Sequence, residues 1–432
     1  MAELSGYLRP IGFRPWEISA MINQEVIDQH AEEAAFLWTQ RDHAVRAPQY
    51  ALKDLAKLDE RVEAHVDGLR LAGATGWEAA SSRIEEGSGE VFAASVLAVE
   101  SGDREYVNRV LETACSNPTL ARGLVSAMGW LDDAMALRET RMLVSSQTPE
   151  VRRAGIAGMA IRRIDPGPAL NQAIEDDNPR LTARALRAAG ELGRRDLLSQ
   201  ISHRLNDVDE ECHFWAAWSA VRLGDRHSPA VEILRQFAEH AQPQAERAVN
   251  LAFRAIALAD AHAWAMRLAE KPETARFGVI GAGVIGDPAV IPWLIAQMEN
   301  PDLARVAGAA FSIITGADLA YEDLDSDVPE MHAEESEDDF FSPDPDSELK
   351  WPNPPAVTKW WVQRSANFVP GARYLLGRPM TDDVLHEALA RGKQTQRIAA
   401  AMELAVRHPG DVLFETRARA QWQLAMVKQW SS

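Results

Sequence analysis

Gly281, Gly283 and Gly286 form a G-x-G-x-x-G run, the spacing that admits a dinucleotide pyrophosphate when it follows a buried strand and opens a helix. Here the preceding residues, Lys271 to Phe277, read as a helix start, and only Asp302 loosely meets the acidic spacing for a ribose. The run therefore predicts the end of a helix and no cofactor. His-Glu occurs once, at His386-Glu387, and there is no H-E-x-x-H, so the 11 histidines supply no metal-ligand set. Cys212 and His213 are adjacent, and adjacent helix positions do not face one another, so they form no nucleophile dyad. Neither a G-x-S-x-G elbow nor a phosphate-cradling G-x-x-x-x-G-K-[ST] loop is present. The residues predict no catalytic, cofactor-binding or metal site.

Arginines and tryptophans are the side chains whose spacing carries information. An arginine stands four residues after a proline at Arg122, Arg153, Arg247, Arg276 and Arg305, and Pro179 is followed by Arg184 one position later. Recurrence in register predicts a ladder. One reading is structural, with each arginine tied to loop acids such as Asp176, Asp177, Asp207 and Asp209; the other is an anion-binding stripe. Residues 141–195 hold 10 Arg against 6 acids, so Arg152, Arg153, Arg180, Arg184 and Arg187 are candidates for a basic partner-binding surface. Trp351, Trp360 and Trp361 flank Pro352, Pro354 and Pro355 and either plug the end of a repeat array or form a binding surface.

These side chains need elements to hold them, and turn signals recur every 29 to 34 residues at Asn117-Pro118, Thr148-Pro149, Asn178-Pro179, Asp207-Val208-Asp209, Gln242-Pro243, Lys271-Pro272 and Asn300-Pro301. A second set, at Gly102, Gly193, Gly224, Gly286 and Gly316, divides the units into two helices each. In the run from Leu181 to Gly193, Leu181, Ala185, Ala188, Ala189 and Leu192 recur at helical spacing while Arg180, Arg184 and Arg187 keep to another face. A hairpin of this size cannot bury its apolar stripe alone and must stack on its neighbours. The predicted fold is all-α, an α-solenoid of helix hairpins. Val151-Arg152, Leu192-Gly193, Leu223-Gly224-Asp225 and Ile285-Gly286-Asp287 resemble the Val-Arg, Leu-Gly and Ile-Gly-Asp slots of HEAT-like repeats of the phycobilin-lyase type. The whole arrangement is similar to an uncharacterised bacterial HEAT-repeat family: a helical segment at Glu32 to Trp77, an array closing on Phe311 to Asp318, an acidic break, and a Trp-rich end. Members of that family often lie among type VI secretion genes, so the resemblance implies a role there and transfers no catalytic residue.

The acidic break concentrates the charge. Residues 318–349 hold 14 acids and no Lys or Arg, and removing them from the total of −19 leaves −5. The break reads as a solvated linker, a lure for a basic partner, or a flap docked on the chain's own Arg-rich face, with Phe340 and Phe341 as anchors. The acidic balance disfavours nucleic acid and anionic membranes. Two distant cysteines and an N-terminus without an apolar signal core fit a reducing cytoplasm.

The predicted organisation is an N-terminal helical segment (1–86), a HEAT-like solenoid (87–320), an acidic insert (321–350) and a Trp-rich helical part (351–432), with helices at Val384 to Ala390, Thr395 to Arg407 and Phe414 to Val427. The expected function is non-enzymatic protein binding, as an adaptor or chaperone-like factor for a secretion effector or spike component. An immunity-type inhibitor of a toxin and a lyase-like small-molecule binder are the alternatives.

Overall fold

The computed structural model describes residues 23–226, 229–327 and 344–430. Phe340 and Phe341 lie outside them. The described chain is all-α, with 22 α-helices and one two-stranded sheet, and successive helices pack in series as a HEAT-like solenoid does. No described helix is long and apolar enough to cross a membrane.

The chain divides into two compact units, residues 1–40 with 60–127, and residues 41–59 with 128–432. Helices α1 (Gln24–Ala44), α2 (Leu52–Ala72) and α6 (Ala121–Trp130) run from one unit into the other, whereas α3 (Ala74–Ser82), α4 (Ser88–Ser101) and α5 (Arg104–Ser116) lie within the shorter one. Its core sets Trp38 against Phe92 with ring centres 5.5 Å apart, and the Trp38 Nε1–H donates to Ser126 Oγ at 2.9 Å.

The longer unit carries the regular repeats. After α7 (Asp133–Val144), the first helices of successive hairpins are α8 (Pro149–Ile161), α10 (Pro179–Glu191), α12 (Glu210–Arg222), α14 (Ala245–Ala255), α16 (Pro272–Ile285) and α18 (Pro301–Thr315). Their partners are α9 (Pro168–Ile174), α11 (Leu198–His203), α13 (Ala230–Glu239), α15 (Leu258–Ala269) and α17 (Ile291–Gln297). Proline opens four of the first helices because its missing N–H is one that a helix start leaves unpaired. Asn178 Oδ1 caps α10 by accepting the Leu181 N–H at 3.1 Å, and Asp209 Oδ1 caps α12 by accepting that of Cys212 at 2.9 Å.

First helices are buried on most sides because Ala185, Ala188, Ala189, Ala216, Ala217, Ala248 and Ala252 let backbones approach closely. The G-x-G-x-x-G run shows the same logic: Gly281 and Gly283 lie within α16, Gly286 terminates it with φ 73°, and a Cβ on Gly281 would meet the Phe253 ring at 2.4 Å. The glycines end a helix, as predicted.

Beyond the array come α19 (Pro354–Arg364), the strands β1 (Tyr374–Leu375) and β2 (Arg378–Pro379), α20 (Asp382–Arg391), α21 (Gln394–Arg407) and α22 (Ala420–Trp430). The helix expected from Phe414 starts six residues later. Residues 414–419 are non-helical because this stretch spends its polar groups on the solenoid. The polypeptide in fact returns along the C-terminal ends of the first helices. The Tyr374 N–H donates to Gly286 O at 2.8 Å, Leu376 to Ile313 O at 2.9 Å, and Leu413 to Glu191 O at 2.9 Å. At Gly193, φ is 70° and a Cβ would sit 2.2 Å from Gly410 O, so only glycine lets the returning chain lie this close. The Arg419 guanidinium donates to Trp130 O at 3.0 Å, and Arg41 reaches the Arg417 and Ala418 carbonyls at 2.7 and 2.8 Å while pairing with Asp59 at 2.7 Å.

Candidate partner-binding face

The register arginines fall near, though not always at, one place in the first helices of the long unit, Arg247 being the third residue of α14. Arg153, Arg276 and Arg305 are the fifth residues of α8, α16 and α18, and Arg184 is the sixth of α10. In α12 that sixth slot holds Trp215. The guanidiniums of Arg187 and Arg247, from the helices on either side, lie over its ring at 4.8 and 5.9 Å, and its indole N–H donates to Glu211 at 3.0 Å.

At the far end of the ladder the chain supplies its own anions. Arg276 forms a two-point contact with Asp346 at 2.7 and 3.0 Å and also meets Glu246 at 3.0 Å. Arg305 pairs with Asp344 and stacks on Trp351, 4.8 Å from the ring centre. The Asp346 N–H donates to Asp344 Oδ1 at 2.8 Å, a local turn that presents both carboxylates to adjacent helices. Burial opposes the charge on Arg276, but Asp346 and Glu246 outweigh it and raise its pKa. His43 and Gln49 hold Glu348 at 2.8 and 3.0 Å. The described end of the acidic insert thus docks on the chain's own arginines. They are Arg276 and Arg305, outside the Arg141 to Arg195 stretch singled out by composition.

Nearer the middle, the returning chain builds a buried charge cluster. Glu191 is 3% exposed and receives Arg187 at 2.8 Å, Arg184 at 3.2 Å and Arg163 at 3.9 Å. Glu415, 2% exposed, receives Arg417 at 2.7 Å and Arg163 at 3.2 Å. Burial works against ionisation of both acids. The arginines overcome it, holding Glu191 well below the usual carboxylate range and Glu415 at about 2. A second cluster gathers Arg254, Arg373 and Arg407 on Glu403 at 3.3, 2.7 and 3.1 Å. Arg222, wholly buried, donates to Asp411 O. These clusters lock α21 and the connecting strap onto the repeats, and nothing in the sequence spacing points to them.

Cation charge is left over beside Glu191. Arg184 Nη1 and Arg153 Nε are buried without a hydrogen-bond partner. Burial pushes the Arg184 guanidinium down to about 10, and Arg187 and Arg163 add to the shift against the pull of Glu191. Arg247 is exposed, and its contact is a 2.5 Å bond to the neutral Gln244. Desolvation of its head group, then repulsion from Arg187 and Arg417, lowers its pKa, with Glu211 and Glu246 opposing.

Of the other singled-out residues, Arg152 makes the tie between units, meeting Asp176 at 2.5 Å, and Arg180 is exposed. Trp351 and Trp360 are buried, Trp360 standing edge-on to Phe311 at 5.4 Å, and Trp361 is half-buried against Phe368. They close the end of the array. Burial, followed by the nearby Asp209 and Asp207 carboxylates, pushes the Cys212 thiol up to about 12, the reverse of an activated nucleophile. Among the described residues no group of three or more His, Cys, Asp or Glu side chains is placed to hold a metal.

A family profile of HEAT repeats matches residues 167–254, which span α9 to α14 and include Arg184, Arg187, Trp215 and Arg247. No curated protein matches the chain.

Proposed function

We propose that this chain is a non-enzymatic protein-binding scaffold, an adaptor or chaperone-like factor whose work is done by the ladder face. The observation that carries the reading is the mismatch along that face among the described residues: Arg276 and Arg305 are neutralised by the chain's own carboxylates, whereas Arg163, Arg184, Arg187 and Arg417 share Glu191 and Glu415, and Arg247 bonds a neutral amide. Stacked helix hairpins expose a long continuous surface suited to such binding. The resemblance to the bacterial HEAT-repeat family found near type VI secretion genes supports a secretion effector or spike component as the client, handled in the cytoplasm. An inhibitor reading needs the acidic insert free to block a basic toxin, and Asp344, Asp346 and Glu348 are already bound in cis.

Co-purification from source cells, followed by reconstitution from the purified components, tests the proposal. A stoichiometric complex that survives deletion of residues 328–343 is expected. A chain that remains alone in both settings overturns the scaffold reading, and loss of the partner on that deletion transfers the binding role to the insert.

A further inference from the structure

The docked end of the insert is a template for the chemistry that the earlier arginines of the array can bind. Two carboxylates two residues apart, Asp344 and Asp346, reach arginines on neighbouring first helices, and one of those arginines rests on an indole, Trp351. Neighbouring packed helices lie about 8–10 Å apart, a span that two short acidic side chains on one turn and two long arginines readily bridge. A related pairing of arginine with indole lies earlier in the array, on α10 and α14 either side of α12, with no docked Asp-x-Asp turn among the described residues. Arg187 and Arg247 flank Trp215, with Arg187 at the same 4.8 Å stacking distance that Arg305 keeps from Trp351.

Among the described residues, arginines outnumber carboxylates at this second place. Glu191 and Glu415 are shared among Arg163, Arg184, Arg187 and Arg417. Glu211 accepts from the neutral Trp215 and Gln244 at 3.0 and 2.9 Å and adds a third negative charge, against the five arginines Arg163, Arg184, Arg187, Arg247 and Arg417. Arg247 and Arg417 remain open to solvent, the latter 36% exposed, so an incoming group has access.

We propose that Arg184, Arg187, Arg247 and Trp215 form a docking site for an acidic segment of a partner protein, one that presents two carboxylates two residues apart, as Asp344-Pro345-Asp346 does in cis. This rests on the scaffold reading and specifies the chemistry of the partner. Two-point arginine–carboxylate contacts give the site directionality that a diffuse basic patch lacks.

The test uses the full chain and a fluorescently labelled synthetic peptide with the sequence of residues 343–349. Fluorescence anisotropy should show saturable one-to-one binding that weakens as salt rises from about 0.05 to 0.3 M. Replacing both aspartates of the peptide by asparagine should abolish it. Arg247→Gln should weaken binding by about tenfold, in line with loss of one charged contact, with an unchanged thermal melt because Arg247 is exposed. Arg187→Gln should act in the same direction; if it disturbs folding, Arg247→Gln carries the test alone. Equal binding of the aspartate and asparagine peptides, indifference to Arg247→Gln, or displacement of the peptide by millimolar inorganic phosphate alone would overturn the proposal. A reconstituted partner complex that ignores Arg247→Gln removes this site and leaves the scaffold reading standing. Peptide binding without any cellular partner does the reverse.

Discussion

Two stretches of the same ladder differ in who supplies the anion. Around Arg276 and Arg305 the chain bends back and delivers Asp346 and Asp344; around Arg184, Arg187 and Arg247 the described acids are Glu191 of α10 itself, Glu211 and Glu415 of the returning chain, fewer than the guanidiniums present. Both stretches pair an arginine with an indole, Arg305 with Trp351 and Arg187 with Trp215. The difference teaches that carboxylates supplied in cis make Arg276 and Arg305 structural, while the proposed binding role falls to the stretch with fewer described acids.

The sharpest way to break the comparison is at Glu191. Glu191→Gln leaves Arg163, Arg184 and Arg187 facing a neutral amide in a buried setting, and should destabilise the long unit by about 3–5 kcal/mol, read as a lowered denaturant midpoint. Gly193→Ala attacks the contact between strap and ladder instead. It forces a side chain into a left-handed backbone against Gly410 and should cost about 1–3 kcal/mol, seen in a thermal melt. Asp344→Asn with Asp346→Asn vacates the far end of the ladder. Stability should fall by about 1–3 kcal/mol, and a second equivalent of the acidic peptide should now bind, countable by isothermal titration.

Acid should probe the middle cluster selectively. Glu191 and Glu415 have pKa values depressed by folding, so their contribution is fully present above the unfolded value near 4.5 and is lost as pH falls through the folded ones, about 2 for Glu415. Stability should therefore decline between about pH 4.5 and 2, and Glu415→Gln should flatten that decline in a pH series of melts. The smallest effect belongs to Arg180→Glu. This exposed residue should change stability by less than about 0.5 kcal/mol, and a larger loss would show that the ladder is coupled to its rim.

The repeats were legible because each is short and punctuated: proline or a capping Asn or Asp opens a helix, glycine closes it, and alanines mark the buried face. The arginine register was legible for the same reason, since a position repeated every thirty residues must line one side of a stack. Its partners were not. Arg152 rather than Arg153 ties to Asp176, one residue away from the register position. The acids that neutralise Arg276 and Arg305 lie 70 and 39 residues further along, across a segment with no periodicity. The helix predicted from Phe414 begins at Ala420 because Leu413 and Glu415 bind the repeats and the Arg417 carbonyl accepts from Arg41, a tertiary demand that no local propensity encodes. The tryptophans after the insert could have been plug or surface by composition, and only packing shows Trp351 and Trp360 buried.

The returning strap also bears on how the chain is made. An open array of hairpins can fold from its first unit onward as it leaves the ribosome, each hairpin completing the last. Here Glu191 waits for Leu413, and Arg41 for Arg417. At about 5–20 residues per second, the hundred or so residues between the end of the array and the strap take about 5–20 s to emerge. Throughout that interval the nascent array displays its arginines with fewer carboxylates than it will finally have. The slowest step in maturation should then be closure of contacts more than 350 residues apart in sequence, such as Ala420 on Asp59.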